Sequence, residues 1–196
     1  MKKNSKVLSE RPNAEKLKQL KRTREICRIN IRKAPNDPVC LHVMGLIEAQ
    51  LGHFVAAIKW FKKSLEIQPD SPDVLCHYAL ALMERSKYPE AIKAFYHAIK
   101  INPKHVDSLY HLGNAFKALG DAGRATKAYT QVLMLNPKHP EACNNLGTLL
   151  NDQKRYAEAI GFFHRAIAAQ PDYLLPYNNI GVSLTALDML DEAEQF

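Results

Sequence analysis

Five prolines recur at one fixed interval, and this interval limits what the chain can fold into. Pro35, Pro69, Pro103, Pro137 and Pro171 each stand 34 residues after the one before. A period of about 20 to 50 residues is typical of arrays of small structural units. In such arrays each unit buries its apolar face only against its neighbours. The sequence therefore predicts a linear array of helical units and not one central core.

Residues of the same type also recur between the prolines. The pattern in residues 140–173 consists of Cys143, Leu146, Gly147, Leu150, Ala159, Phe163 and Pro171. Its spacing resembles that of the tetratricopeptide repeat, with Cys and Leu replacing two aromatic residues. The same offsets recur in the other copies, so the resemblance covers roughly residues 38–196. It implies an all-α fold, a right-handed superhelical solenoid of helix-turn-helix repeats.

Small residues occupy two positions of every copy. One position carries Gly45, Ala79, Gly113, Gly147 and Gly181. The other carries Ala57, Ala91, Ala125, Ala159 and Ala193. Small side chains let two helices approach closely, while larger apolar residues fill the remaining space. These positions predict where the two helices of each copy meet.

The period also predicts the domain organisation. Residues 1–12 are expected to form a flexible basic leader, and residues 13–37 an N-terminal capping half-repeat helix that ends before Pro35. Leu17, Leu20, Cys27 and Ile31 can share one stripe of that helix, while Lys and Arg cover the rest. Five copies follow, at residues 38–71, 72–105, 106–139, 140–173 and 174–196, the last of them truncated. Together they predict about ten repeat helices in addition to the cap.

Several residues predict where helices begin and end. Asp37, Ser71 and His139 each precede a proline that can occupy the first helical position, where a missing N–H costs nothing. Pro89 is expected to do the same for a second helix. Gly52 and Gly120 suit the turns between paired helices, although Lys154 and Asp188 stand at equivalent positions.

The charge is concentrated at the N-terminus. Residues 1–35 carry twelve Lys/Arg and three Asp/Glu, whereas residues 36–196 carry fifteen and seventeen. No signal peptide or membrane span is visible, and the four cysteines show no paired spacing. A cytoplasmic protein with reduced cysteines is therefore predicted. The basic leader lacks the aromatic residues of single-strand binding proteins, so a solvated helix is favoured over contact with nucleic acid or an anionic membrane.

The family resemblance implies a binding surface. In tetratricopeptide proteins the first helices of the repeats line a concave groove that receives an extended peptide or a partner's helix. The residues expected to face this groove are Tyr110, Asn114, Lys117, Asn144, Asn145, Asn151, Asn178 and Asn179, together with His77 and His111. Lys117 is the only basic residue among them, so a clamp for a partner's C-terminal carboxylate is not favoured.

Two Asn pairs are the most specific feature of this surface. Asn144-Asn145-Leu146-Gly147 and Asn178-Asn179-Ile180-Gly181 resemble the repeats of O-linked N-acetylglucosamine transferases, whose inner Asn ladder holds a peptide backbone. An amide side chain both donates and accepts hydrogen bonds, so it can bind a main chain of any sequence. The alternative is that one Asn of each pair bonds only to a neighbouring turn. Val43, His77 and His111 interrupt the ladder in the first three copies.

Catalytic, metal and cofactor sites are not expected within these residues. His77 and His111 lie one repeat apart, and no Cys or carboxylate spacing completes a zinc site. No phosphate-binding loop or nucleophile elbow occurs. The predicted function is a protein-interaction scaffold. The alternative is a non-catalytic, substrate-recruiting arm of a larger glycosyltransferase-like or sulfotransferase-like enzyme.

The last copy stops before its closing proline, without a polar capping helix. Because solenoids normally cover their terminal apolar face, a truncated fragment is favoured. The alternative is a natural end that self-associates with another copy of the chain or binds another protein.

Overall fold

The computed structural model describes residues 13–188, and within them the chain forms ten α-helices. The helices are α1 (Ala14–Lys33), α2 (Pro38–Gln50), α3 (Phe54–Ile67), α4 (Pro72–Met83), α5 (Tyr88–Ile101), α6 (Val106–Ala118), α7 (Ala122–Leu135), α8 (Pro140–Asp152), α9 (Tyr156–Ala169) and α10 (Leu174–Ala186). No strand occurs in this range. The all-α fold is therefore confirmed. The leader and the second helix of the fifth copy were predicted for residues outside the described range.

The chain divides into two compact units, with the boundary between His111 and Leu112. In the first unit α1 packs on α2, α2 on α3, α3 on α4 and α4 on α5. In the second unit α7 packs on α8, α8 on α9 and α9 on α10. In both units each helix therefore packs mainly on the helices next to it in sequence, as expected for a repeat array.

The residues that precede the prolines begin helices as predicted. Asp37 accepts a hydrogen bond from the Val39 backbone N–H at 2.9 Å, and α2 begins at Pro38. Nδ1 of His139 accepts from the backbone N–H of Ala142 at 3.3 Å at the start of α8. Ser71 precedes α4 without a side-chain cap. Pro89 differs slightly from the prediction, because α5 begins one residue earlier.

The turns inside the helix pairs use a left-handed backbone conformation. Gly52 has a φ of 78° and Gly120 a φ of 74°, a region that glycine enters without steric cost. Ser86 and Lys154 adopt φ values of 57° and 61° at the equivalent turns, and Asp188, which follows α10, has a φ of 59°. These non-glycine residues carry a conformational cost of about 1 kcal/mol each, which the packing of the described helices must offset.

The small first-helix residues make room for an aromatic ring. A Cβ atom built on Gly45 would lie 2.5 Å from Cε1 of Phe61, and one on Gly147 would lie 2.6 Å from Cε1 of Phe163. Gly113 faces Tyr129 in the same way, at 2.5 Å. In each case the ring lies sixteen residues further along the chain. The predicted close approach is thus a contact between a helix backbone and a ring.

Helix α1 packs on the first repeat through three of the four residues of its predicted stripe. Buried Cys27 forms a cluster with Met44 and Ile47 of α2, and Leu20 and Ile31 pack against it. Arg24 stands where three of the four full repeats have Ile. Its Nε donates to Oε1 of Glu48 at 2.7 Å, and the other carboxylate oxygen of Glu48 lies 2.8 Å from Nδ1 of His53. The Glu48 side chain is only 3 % exposed, so this ion pair fixes α1 to the first repeat.

Candidate functional site

In the second unit the asparagines of neighbouring first helices are hydrogen-bonded to each other. Nδ2 of Asn145 on α8 donates to Oδ1 of Asn114 on α6 at 3.2 Å. The same oxygen accepts from the Tyr129 hydroxyl of α7 at 2.7 Å. A ring hydroxyl from a second helix therefore orients Asn114, and Asn114 in turn orients Asn145.

A second amide pair lies between α8 and α10. Nδ2 of Asn179 donates to Oδ1 of Asn144 at 2.9 Å. Asn144 is only 5 % exposed, whereas Asn179 is half-buried. The Ser183 hydroxyl donates to Oδ1 of Asn151 at 3.0 Å and lies 2.8 Å from the Asn179 carbonyl oxygen. Asn145, Asn179 and Ser183 thus each donate from the later helix to an asparagine side-chain oxygen on the earlier one.

The structure thus gives the members of each Asn pair different environments. Asn144 is a buried acceptor, while Asn178, at the equivalent position of the next copy, is exposed. Asn145, Asn151 and Lys117 are half-buried. Asn178 also borders an open cleft of about 530 Å³ on α10, together with Gly181, Val182, Thr185 and Ala186.

In the first unit the predicted groove residues are packed rings. Nε2 of His42 lies 3.1 Å from Nδ1 of His77, and the His77 ring stacks on Phe61 with centroids 6.3 Å apart. His111 stacks on Phe95 at 6.2 Å, and Tyr110 meets it edge-on at 5.0 Å. His77 and His111 are 6 % and 8 % exposed. Little of either ring is therefore available to a ligand.

Burial determines the charge of this histidine pair. It lowers the pKa of His77 to about 4, with the neighbouring His42 as a second cause and Asp73 acting in the opposite direction. Burial also lowers the pKa of His42. Both rings are consequently neutral near pH 7, which allows one to donate to the other. Burial raises the pKa of the Cys76 thiol to about 12, so that it stays protonated.

Sequence reasoning missed the pairing between neighbouring first helices. His42 and His77 are 35 residues apart, and so are Asn144 and Asn179. In both cases the fifth residue of one copy meets the sixth residue of the next. The signal is present in the sequence as polar residues at both positions. The predictions considered a ligand in the groove or, for the Asn pairs, a neighbouring turn as the partner, and not the next first helix.

Other kinds of site are not visible in the described part of the chain. Between residues 13 and 188 no three His, Cys, Asp or Glu side chains are placed to hold a metal ion. No helix in that range has the length and the apolar composition needed to cross a bilayer. Cys27, Cys40, Cys76 and Cys143 are free thiols.

Comparison with known families agrees with this arrangement of helices. A family model described as a tetratricopeptide repeat matches residues 110–173, another of the same description matches residues 40–71, and a TPR repeat model matches residues 79–120. The chain is built of tetratricopeptide repeats. No curated protein sequence is similar enough to count as a relative of this tetratricopeptide protein.

Solved structures show the same fold as these tetratricopeptide repeats. The MamA protein is 22 % identical over 81 % of this chain and 86 % of its own, with a TM-score of 0.72. YrrB, described as a TPR protein with an unusual peptide-binding site, is 21 % identical over 88 % and 92 %, with a TM-score of 0.72. PilF of Pseudomonas aeruginosa is 16 % identical over 90 % and 81 %, with a TM-score of 0.81. At these identities the likeness concerns the fold.

Proposed function

We propose that the chain is a protein-interaction module that binds an extended peptide or a partner's helix along the first-helix face of its second unit. The observation that carries the proposal is the row of linked amides on α6, α8 and α10. Asn145 and Asn179 are oriented by hydrogen bonds to Asn114 and Asn144. Groups that are already oriented lose less entropy when a ligand binds.

The hydrogen-bonding capacity of these amides supports this function. A primary amide has two N–H donors and an oxygen with two lone pairs. Asn179 uses one N–H on Asn144, and its side-chain oxygen makes no hydrogen bond to a described residue. Asn178 is exposed and makes no side-chain hydrogen bond to described residues. Both can therefore bond to the N–H and C=O groups of a peptide backbone.

The cleft on α10 gives this surface an apolar component. Val182 is 62 % exposed and lines the cleft next to Asn178. An extended peptide that bonds to Asn178 and Asn179 through its backbone can place an apolar side chain against Val182 and Ala186. The ligand class that we propose is therefore a peptide with an apolar residue within an otherwise unrestricted sequence.

Removal of the two oriented amides tests the proposal. Peptides selected on the full chain from a random-sequence phage library provide the probe, and fluorescence anisotropy of a labelled selected peptide gives Kd. Asn145→Ala combined with Asn179→Ala removes the hydrogen bond that each amide is proposed to make to the peptide. At about 1 kcal/mol for each bond, Kd is expected to rise roughly 30-fold. Asn178→Ala alone disturbs no internal bond and is expected to raise Kd about fivefold.

A matched control removes two amides from other surfaces. Asn30→Ala with Gln131→Ala deletes exposed side chains of α1 and α7. This variant is expected to bind the peptide with unchanged Kd. Circular dichroism confirms that each variant remains helical. Unchanged binding by both the Asn145/Asn179 double variant and Asn178→Ala would refute the amide surface.

Three finer statements are part of this proposal. The Asn pairs support a similarity to the repeats of O-linked N-acetylglucosamine transferases, where such amides hold a peptide backbone. We infer that the described residues bind without catalysis, because they present polar amides and packed rings rather than an activated nucleophile or an acid–base pair. We also infer a cytoplasmic location, since Cys27, Cys76 and Cys143 are buried packing residues without a disulfide partner among the described residues, as is typical of proteins from reducing compartments.

A second copy of the chain is a further partner that we propose. Helix α10 exposes Leu174, Leu175 and Val182, which are 72 %, 55 % and 62 % accessible. Burial of such apolar side chains against another copy would favour association. Light scattering after size exclusion is expected to show a dimer whose population falls in Leu174→Ser with Leu175→Ser. A monomer at every concentration tested would exclude self-association without affecting the peptide proposal.

A further inference from the structure

Helix α1 has an exposed face that the repeat array does not use. Its inner stripe of Leu20, Cys27 and Ile31 is packed against the first repeat. On the opposite side Lys18, Arg22, Ile26, Ile29 and Lys33 follow each other at intervals of three or four residues, which places them in one row on the helix surface. We call these five residues the basic stripe. All of them are exposed.

The centre of the basic stripe is apolar. Ile26 is 58 % exposed and Ile29 is 51 % exposed. Arg22 lies one turn before Ile26, and Lys33 lies one turn after Ile29. The sequence pattern predicted that Lys and Arg would cover this side of α1. The structure instead gives two adjacent isoleucines in water, bordered by positive charge at both ends.

No described residue neutralises the charge of this face. Helix α1 contains eight Lys/Arg and two Glu. Arg24 pairs with Glu48, and Arg28 pairs with Glu25 at 2.9 Å. The three basic residues of the basic stripe form no ion pair with any residue between 13 and 188. Residues 36–196 are slightly acidic, so the attraction for an anion is concentrated at this end of the sequence.

We propose that the basic stripe binds the surface of an anionic lipid bilayer. Lys and Arg near such a surface are attracted to acidic headgroups, and clusters of them on a helix are typical of phosphatidylserine binding. The two isoleucines can enter the boundary between headgroups and acyl chains while the flanking basic side chains reach the phosphates. Helix α1 is about 30 Å long and can lie flat on the membrane.

The isoleucines favour lipid over nucleic acid. A phosphate backbone of DNA or RNA is bound by charge and hydrogen bonds and gains little from two aliphatic side chains. Helix α1 also has no aromatic residue on which bases could stack. Membrane attachment is independent of the peptide surface, because it uses α1 and the peptide proposal uses α6, α8 and α10.

Vesicle co-sedimentation with the full chain tests the proposal. Binding is expected with vesicles of phosphatidylcholine containing about 30 % phosphatidylserine at about 0.1 M salt, and not with phosphatidylcholine alone. Arg22→Gln with Lys33→Gln is expected to weaken binding roughly 25-fold, since each basic residue contributes about fivefold. Lys93→Gln with Lys100→Gln removes the same charge from exposed positions of α5 and is expected to change binding by less than about twofold.

A third variant separates lipid insertion from charge alone. Ile26→Ser with Ile29→Ser keeps every charge and is expected to weaken vesicle binding roughly tenfold, because about half of each side chain is available for burial. The same variant is expected to leave any binding to a duplex of about 20 base pairs unchanged.

Several results would overturn the proposal. One is that the wild type does not bind phosphatidylserine vesicles, and another is that the α5 control variant loses as much vesicle binding as the Arg22/Lys33 variant. A third is that the Ile26/Ile29 serine variant binds vesicles as well as the wild type, and a fourth is that the wild type binds the duplex more tightly than vesicles. Vesicle binding that persists in every α1 variant would assign the attraction to residues 1–12 and would also overturn it. Circular dichroism and the fluorescence of Trp60, which packs near Cys27, check that α1 stays in place.

Discussion

Gly147 offers the sharpest test of how the helix pairs are held together. A Cβ atom at this position would lie 2.6 Å from Cε1, and 2.9 Å from both Cδ1 and Cζ, of Phe163. The ring is fully buried, so it has little room to move. Gly147→Ala therefore forces a carbon atom into space that the ring occupies.

The control is Gly161, which also lies inside a helix. A Cβ atom there meets nothing within 4 Å. Both substitutions gain about 1 kcal/mol of helix propensity, but only Gly147→Ala carries an overpacking cost of about 1 to 3 kcal/mol. Gly161→Ala is therefore expected to raise the free energy of unfolding by about 1 kcal/mol, and Gly147→Ala to leave it unchanged or lower it by up to about 2 kcal/mol.

The second copy carries a methyl group at the position equivalent to Gly147. Ala79 stands where the other copies have glycine, and Phe95 lies sixteen residues after it. Both are fully buried. A methyl group can thus be accommodated when the surrounding residues are built for it. Gly147→Leu adds three more carbon atoms to the same space and is expected to cost more than Gly147→Ala.

Urea unfolding followed by circular dichroism measures these changes. Repeat arrays can unfold in parts, so amide hydrogen exchange of α8 and α9 is needed to assign the effect to this helix pair. Gly147→Ala is expected to lower the protection of these two helices relative to Gly161→Ala. Equal stability of the two alanine variants would refute the argument that the ring excludes a side chain at Gly147.

Three further perturbations test the polar interior. Glu48→Gln removes the charge that binds Arg24 and is expected to lower the free energy of unfolding by about 1 to 3 kcal/mol. Amide hydrogen exchange should accelerate most in α1, and unchanged protection of α1 would contradict this prediction. Burial lowers the pKa of His77 to about 4, so as the pH falls this residue is protonated in the unfolded chain before it is protonated in the folded one. The contribution of His77 to the free energy of unfolding is therefore complete above about pH 6.5 and decreases towards pH 4, by on the order of 3 kcal/mol. His77→Gln should remove this part of the pH dependence in urea titrations at pH 7 and 4.5, and a slope equal to that of the wild type would exclude it. Asn144→Ala leaves an N–H of Asn179 without its acceptor and is expected to destabilise the second unit by about 1 kcal/mol, and a calorimetric melting temperature equal to that of the wild type would argue against this bond.

Local sequence signals predicted most of the fold. Prolines and polar residues in front of them limit the backbone directly, so they placed the starts of α2, α4 and α8 without knowledge of distant contacts. Gly52 and Gly120 were correctly expected in turns because their positive φ is a local property. The division into copies at residues 38–71 to 174–196 follows the same period and stays a prediction.

The candidate site was predictable only in part. The sequence identified which residues lie on first helices, because that depends on position within the period. It could not tell whether Asn144 would face a ligand or accept a bond from Asn179, since both arrangements satisfy an amide. The same holds for His77, which the structure packs between His42 and Phe61.

The sequence by itself thus determined the repeat period, the starts of α2, α4 and α8 and the small residues at helix contacts, because each depends on neighbours within one repeat. Only the tertiary structure decided the partners of Asn144, His77 and Glu48, because those residues meet side chains from another helix. It also decided that Ile26 and Ile29 remain exposed. Helical spacing alone determines on which side of the helix a residue lies. The packing of the neighbouring helix determines which of those sides is buried.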